Sequence, residues 1–251
     1  MTDLHGQVAL VTGASRGIGQ AIAIRLGQLG ASVAVSYSRD AAGASQTVSS
    51  IEAAGSLAIG VPADVSKPAE VETLFQACQA RFGGVDIVVA NAGVDEPGGV
   101  IIDVTEADYD RMYAVNARGA FFTLQQAARS VRDGGSIIYI GSSSTLSPAA
   151  GFGLYASSKL APAVVVRALA QEIGARAVTV NAVIPTATDG AGYFIGAGPD
   201  DPIRVMTEHW SPIGSRMGSV NDVADVVEFF VGNLSRWVSG QQLLVSGGAP
   251  S

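Results

Sequence analysis

Tyr155 and Lys159 stand four residues apart in the run Tyr155-Ala156-Ser157-Ser158-Lys159. On a helix, residues i and i+4 share one face, about one turn apart. A phenol in water holds its proton to about pH 10. An ammonium close by favours the phenolate and lowers that value. The pair is therefore expected to give and take a proton near neutrality. The choice of lysine adds to this: of fifteen basic residues thirteen are arginine, and only Lys67 and Lys159 are lysine. A compact ammonium on a flexible stem suits a point contact, where a guanidinium offers a planar fork. Ser142 follows the apolar run 137–140, at the C-terminal end of an expected strand, where open α/β sheets bind ligands. Ser143 and Ser144 adjoin it, and turn formation also accounts for serines in such a run. Taken alone, the Tyr-x-x-x-Lys spacing also fits an ordinary surface helix.

A second group of residues suits phosphate. The run Thr12-Gly13-Ala14-Ser15-Arg16-Gly17-Ile18-Gly19 follows the first apolar strand and precedes a helix-length segment. Glycines permit a tight turn and close backbone approach, and a helix N-terminus offers free N–H groups and a positive dipole end to a pyrophosphate. The spacing Gly-x-x-x-Gly-x-Gly differs from Gly-x-Gly-x-x-Gly. No Gly-Lys-Ser/Thr follows, which excludes a P-loop.

These groups need a scaffold, and the chain carries one. Continuously apolar runs at 8–11, 33–37, 57–61, 87–90, 137–140, 178–184 and 243–245 read as strands with both faces covered. Amphipathic stretches such as 19–29, 69–82 and 223–230 alternate with them. Such alternation predicts right-handed crossovers and a doubly wound α/β sheet. At 251 residues, 48% hydrophobic and 15% charged, the chain can bury a sizeable core. No linker or repeat divides it, so residues 1–251 are expected to form one domain. The segment 185–213, rich in Gly, Asp, Pro and Thr, reads as irregular, with a lid at about 186–211. Its Tyr193, Phe194, Ile195, Met206 and Trp210 suit either an apolar pocket or packing onto the body.

Composition also excludes. A net charge of −7 and a pI near 4.7 disfavour nucleic acid and anionic membrane surfaces as partners. The lone Cys78 precludes an internal disulfide and reads as a buried, inert thiol. Two histidines and one cysteine argue against a His/Cys metal site. The start Met1-Thr2-Asp3-Leu4-His5 lacks a signal-peptide pattern, and no apolar run approaches the ~18 residues of a membrane span. A soluble cytoplasmic protein is expected.

Together the motifs resemble the short-chain dehydrogenases/reductases along nearly the whole chain, with similarity to the 3-oxoacyl-carrier-protein reductase branch. The matching runs, in order, are Thr12–Gly19, Asp64-Val65, Asn91-Ala92-Gly93, Val115-Asn116-Ala117-Arg118-Gly119, Ser142, Tyr155/Lys159, and Ser239-Gly240-Gln241 with Gly247-Gly248. The resemblance implies a Rossmann-like seven-stranded parallel sheet of order 3-2-1-4-5-6-7 with helices on both faces. It also implies a nicotinamide cofactor and a homotetramer. By it, Tyr155 is the proton donor, Ser142 holds the carbonyl oxygen, Lys159 bonds the nicotinamide ribose, and Asn116 positions a water that resupplies protons. Asp64 and Val65 would meet the adenine, and Asn91, Ala92 and Gly93 the adenosine ribose or the sheet itself. Pro185, Thr186 and Thr188 would lie at the carboxamide.

The second strand ends Val35-Ser36-Tyr37-Ser38-Arg39, with Tyr37 where an NAD-specific site would carry an acid. Arg39 and Arg16 suit a 2′-phosphate, with Ser38 beside them and Asp40 as a competitor for Arg39. NADP(H) is therefore expected over NAD(H). Two departures from the family pattern stand out. Thr186 replaces the usual Gly after Pro185 and resists a positive φ. Pro162 is expected to kink its helix. The leading expectation is an NADPH-dependent reductase of a ketone or aldehyde. The alternatives are an NAD-dependent alcohol, sugar or steroid dehydrogenase on the same site, and a non-catalytic nucleotide sensor.

Overall fold

The computed structural model describes residues 2–95 and 99–249. Its elements run β1 (Val8–Val11), α1 (Gly17–Gln28), β2 (Ser32–Tyr37), α2 (Ala41–Ala53), β3 (Ala58–Pro62), α3 (Pro68–Phe82), β4 (Val85–Ala90), α4 (Glu106–Tyr113), α5 (Ala120–Ser130), β5 (Val131–Ile140) and α6 (Gly153–Glu172). There follow β6 (Thr179–Pro185), β7 (Thr188–Asp189), α7 (Pro202–Trp210), β8 (Gly218–Ser219), α8 (Val220–Val231) and β9 (Gln242–Val245). The main sheet has seven strands in the order β3-β2-β1-β4-β5-β6-β9, all parallel. This is the expected order. The seventh strand is β9 because the two-residue β7 and β8 pair separately.

Every residue of β1 is buried, because the sheet is covered on both sides. Val8 and Leu10 join a core with Leu74 of α3, Leu124 of α5 and Val166 of α6. Ala9 and Val11 join another with Ile22 and Leu26 of α1 and Phe230 of α8. Each fully buried Leu or Ile contributes about 1.5–3 kcal/mol. The central strand thus has the continuously apolar pattern that a parallel sheet requires.

Two local features differ from expectation. First, β5 begins at Val131, well before the apolar run 137–140. The added stretch is polar and glycine-rich, so periodicity does not signal it. Arg132 anchors it to Asp86 at 3.0 Å and to the Gly83 carbonyl at 2.8 Å. Second, the segment 185–213 is not simply irregular. It holds β7, the turn Gly192–Phe194 and α7, which Asp201 caps by accepting from the N–H groups of Ile203 and Arg204 at 2.9 and 3.0 Å. The Asp201-Pro202 start was the available signal. The helix α6 runs on beyond Pro162, which is buried at the core face; proline cannot donate to the carbonyl one turn earlier. Among the described residues, no helix is long and apolar enough to cross a membrane.

Candidate active site

Tyr155 and Lys159 lie on α6 and are buried, with exposures of 9% and 5%. The end of β5 places the lysine. Its Nζ donates to the Ile140 carbonyl at 3.2 Å, and the Tyr139 hydroxyl donates to the Lys159 carbonyl at 3.0 Å. Gly93 makes room for it. A Cβ there would lie 2.9 Å from Lys159 Nζ and 3.1 Å from Asn116 Oδ1, so lysine and asparagine converge over this glycine.

Asn116 sits in a widened π-helical turn, Ala114–Gly119, between α4 and α5. Such turns are frequent at functional sites. Its Oδ1 accepts from the Val94 N–H at 2.8 Å, and its Nδ2 donates to the Val94 carbonyl at 2.9 Å and to Ser158 Oγ at 3.0 Å. Ser158 in turn donates to the Tyr155 carbonyl at 2.7 Å. Asn116 therefore ties the loop after β4 to the helix that carries the tyrosine. Ser158 was not singled out in the sequence, since nothing in the spacing shows which serine of the pair faces inward.

Ser142 is the serine of its run that acts on the Tyr155 phenol, favouring its ionised form. It is held by Ser144, whose N–H donates to it at 3.3 Å and whose Oγ lies 2.9 Å from its own.

The electrostatics correct one expectation. Burial, and then the Asp95 carboxylate, push the Tyr155 phenol well above its ordinary value, while Ser142 opposes them. The expected lowering by Lys159 does not prevail, because a nearly dry site penalises the phenolate more. Burial also pulls Lys159 down to about 8, with Asp95 opposing. Asp95 itself is raised by burial, with the Tyr193 N–H and Lys159 acting the other way. Sequence reasoning missed Asp95 because no short motif contains it.

At the other end of the site, α1 begins at Gly17 with no side chain capping it and no acid in its first turn. By contrast, Asp40, Asp201 and Ser219 cap α2, α7 and α8. The first N–H groups of α1 are thus left for an anion. Gly13 and Gly17 have φ of +63° and +59°. A Cβ on Gly13 would stand 2.9 Å from Ala92 Cα, and one on Gly19 would stand 2.4 Å from Asn91 Nδ2. Asn91 shapes this turn by donating to the carbonyls of Thr12 and Gly13 at 2.9 and 3.1 Å. Ser15 is buried and Ile18 half-buried beneath it.

Arg16, Ser38 and Arg39 are exposed at the rim. Asp40 accepts from the Gly43 N–H at 2.9 Å and so is spent on α2, not on Arg39. Among the described residues neither Arg16 nor Arg39 forms an ion pair. Asp64 accepts from Ser66 Oγ at 2.7 Å, and Val65 is buried. Burial would raise the Asp64 carboxyl, but Ser66, Lys67 and Arg39 outweigh it and hold it low. An uncapped helix start, a glycine cradle without room for a Cβ and two guanidiniums that form no ion pair among the described residues fit a phosphorylated dinucleotide.

Thr186 does not strain the backbone. Among the described non-glycine residues only Ala177 and Ser215 have positive φ. The Thr186 N–H donates to the Val245 carbonyl at 3.2 Å, joining the end of β6, where Pro185 pairs with Val245, to β9. Thr188 is buried and donates to the Thr186 carbonyl at 2.8 Å. Of the apolar residues in the lid segment, Phe194 is buried, whereas Tyr193, Ile195, Met206 and Trp210 are exposed.

Comparison with known proteins follows the same lines. The family described as Enoyl-(Acyl carrier protein) reductase matches residues 13–250. The short chain dehydrogenase/reductase AacuN of Aspergillus aculeatus is 41% identical over 98% of this chain and 96% of its own. A short chain dehydrogenase from Burkholderia cenocepacia, solved in complex with NADP, superposes with a TM-score of 0.92 at 39% identity, covering 99% of both chains. The angucycline C-6 ketoreductase LanV, solved with bound NADP, gives 0.90 at 37% identity, covering 98% of this chain and 96% of that one. A parallel sheet of this order, a glycine turn of this spacing and a buried Tyr155/Lys159 pair thus accompany full-length similarity: the chain is an oxidoreductase of the short-chain dehydrogenase/reductase family.

Proposed function

We propose that the protein reduces a ketone or aldehyde to an alcohol with NADPH, using Tyr155 as the proton donor. The observation that carries this reading is the buried Tyr155 phenol on the same helix one turn before the anchored Lys159, where burial favours its protonated form. A proton donor for carbonyl reduction must keep its proton until charge develops on the substrate oxygen.

A nicotinamide held there would supply the hydride. Tyr155 gives its proton to the carbonyl oxygen, and Ser142 donates a hydrogen bond to the same oxygen. Lys159, anchored on Ile140, holds positive charge beneath the tyrosine. The convergence of Lys159 Nζ and Asn116 Oδ1 over Gly93 supports a proton path by way of water. The pyrophosphate would be held by the start of α1 and the turn Gly13–Gly19, and the 2′-phosphate by Arg16 and Arg39. Adenine would be held by Asp64 and Val65, the adenosine ribose by Asn91 to Gly93, and the carboxamide by Pro185, Thr186 and Thr188. The NADP complexes of the Burkholderia protein and LanV support the cofactor choice.

The test is NADPH and NADH oxidation against a ketone and aldehyde panel. The native protein should turn over with higher kcat/KM for NADPH. Tyr155→Phe should bind NADPH normally and lose about 10²–10⁴-fold in kcat. An Arg16→Ala/Arg39→Ala variant should lose the NADPH preference. Equal or better efficiency with NADH, or near-native turnover by Tyr155→Phe, would remove the corresponding part of the proposal.

A further inference from the structure

The carboxylate of Asp95 stands between two parts of the molecule. On one side it acts electrostatically on both Tyr155 and Lys159. On the other, its Oδ2 accepts from the Tyr193 N–H at 3.3 Å. Gly192 is shaped to receive it. A Cβ on Gly192 would lie 2.4 Å from Asp95 Oδ2 and 3.3 Å from its Cγ, and φ there is +53°. A side chain at residue 192 and the carboxylate at residue 95 therefore compete for one space.

The segment beyond this contact is tied to itself. The Tyr193 hydroxyl donates to Asp201 Oδ2 at 2.9 Å, and Asp201 caps α7. Arg204 of α7 pairs with Asp189 at the base of the segment, and with Glu208 at 3.2 Å. A hold on the Gly192–Phe194 turn is thereby passed on to α7. The base of the segment also touches the cofactor turn, since a Cβ on Gly17 would meet the Gly190 carbonyl at 3.4 Å.

We propose that Asp95 is a positioning residue whose carboxylate, received by Gly192 and the Tyr193 N–H, fastens the segment through Trp210 against the Tyr155–Lys159 site. The latch governs how long bound ligands stay enclosed. Its kinetic consequence rests on the reductase reading given above, whereas its structural consequence does not.

The experiment uses the full chain as Asp95→Ala, Asp95→Asn, Gly192→Ala and Asp95→Ala/Gly192→Ala. Trypsin cleavage after Arg204 reports release of the segment in the absence of cofactor. Cleavage elsewhere and the thermal midpoint report global unfolding. KM and kcat are measured for NADPH with any ketone the native protein reduces. A hydrogen bond to a charged acceptor is worth about tenfold or more in such an equilibrium. Asp95→Ala should therefore speed cleavage after Arg204 about tenfold and raise KM more than it lowers kcat. Asp95→Asn keeps an acceptor and should stay within about threefold of the native rate. Gly192→Ala should speed cleavage at least as much as Asp95→Ala, and adding Asp95→Ala to it should cause no further acceleration, because backbone strain at residue 192 is common to those two chains and cancels in the cycle. Unchanged cleavage and KM in Asp95→Ala, independent multiplication of the two single effects, or equal acceleration at every arginine would overturn the proposal. Should the native protein reduce no carbonyl, the reductase reading fails, while cleavage still decides the latch.

Discussion

Lys159 is charged in a place that disfavours charge, with 5% exposure and one carbonyl, that of Ile140, accepting from its Nζ. Burial brings its value down to about 8, so the ammonium exists below that pH and is lost above it. The Tyr155 phenol is displaced the opposite way and keeps its proton throughout this range. The reductase should therefore lose kcat/KM as pH rises through about 8, falling about tenfold per pH unit beyond it. A pH series of initial rates with NADPH checks this. A profile flat to about pH 10 would mean that Lys159 keeps its ordinary value or that its charge is not required. Cys78 shows the contrasting case: burial pushes its thiol up to about 12, which makes it the inert packing residue expected from the sequence.

Between residue and element, the glycine turn shows how a strand and a helix are set against each other. Gly19 is the tightest point, because an added Cβ would stand 2.4 Å from both Asn91 Nδ2 and the Gly13 carbonyl. Backbone atoms do not yield as a flexible side chain does. Gly19→Ala should cost about 1–3 kcal/mol and weaken NADPH binding, read as a lower thermal midpoint and a weaker fluorescence titration. Gly174→Ala is the control: nothing lies within 4 Å of its added Cβ, and both readouts should stay unchanged. The same scale explains α7. Its Asp201-Pro202 start was legible, and Ile203, Met206 and Trp210 recur at helical spacing, but the glycines and prolines around them mask the helix.

For the molecule as a whole, the exposed apolar surface is the salient feature. The sheet ends in the open edge strand β9, where Leu243 is exposed, and nearby Leu234 and Trp237 are 85% and 98% exposed. A separate face carries Phe121 of α5 with Leu160 and Val164 of α6. Open edges and large apolar patches are ordinarily covered, and the homotetramer that the family resemblance implies would need two distinct faces of this kind. Light scattering should give a mass near four times the 25.4 kDa chain. Trp237→Asp should lower that mass while leaving α6 and its Tyr155 intact. A monomeric mass for the native protein at micromolar concentration would contradict this assembly.

The doubly wound parallel sheet, the glycine turn and the Tyr155/Lys159 pair were legible in the chain because each depends on local spacing, whereas the strand order was implied by the family resemblance. Seven apolar runs separated by helix-length segments admit few parallel topologies, and residues i and i+4 meet on any helix. What local spacing does not carry is long-range contact. The partners of Asn116 at Val94 and Ser158, the seat of Lys159 on Ile140, and the approach of Asp95 to Gly192 join residues 19 to 97 positions apart. The direction of the Tyr155 shift belongs with these, because desolvation depends on everything packed around a group. The sequence by itself thus determined which groups are spaced for proton transfer and which turn suits a dinucleotide, while only the tertiary structure decided how dry the site is and which carboxylate faces it, since burial and long-range electrostatics arise from the assembled fold.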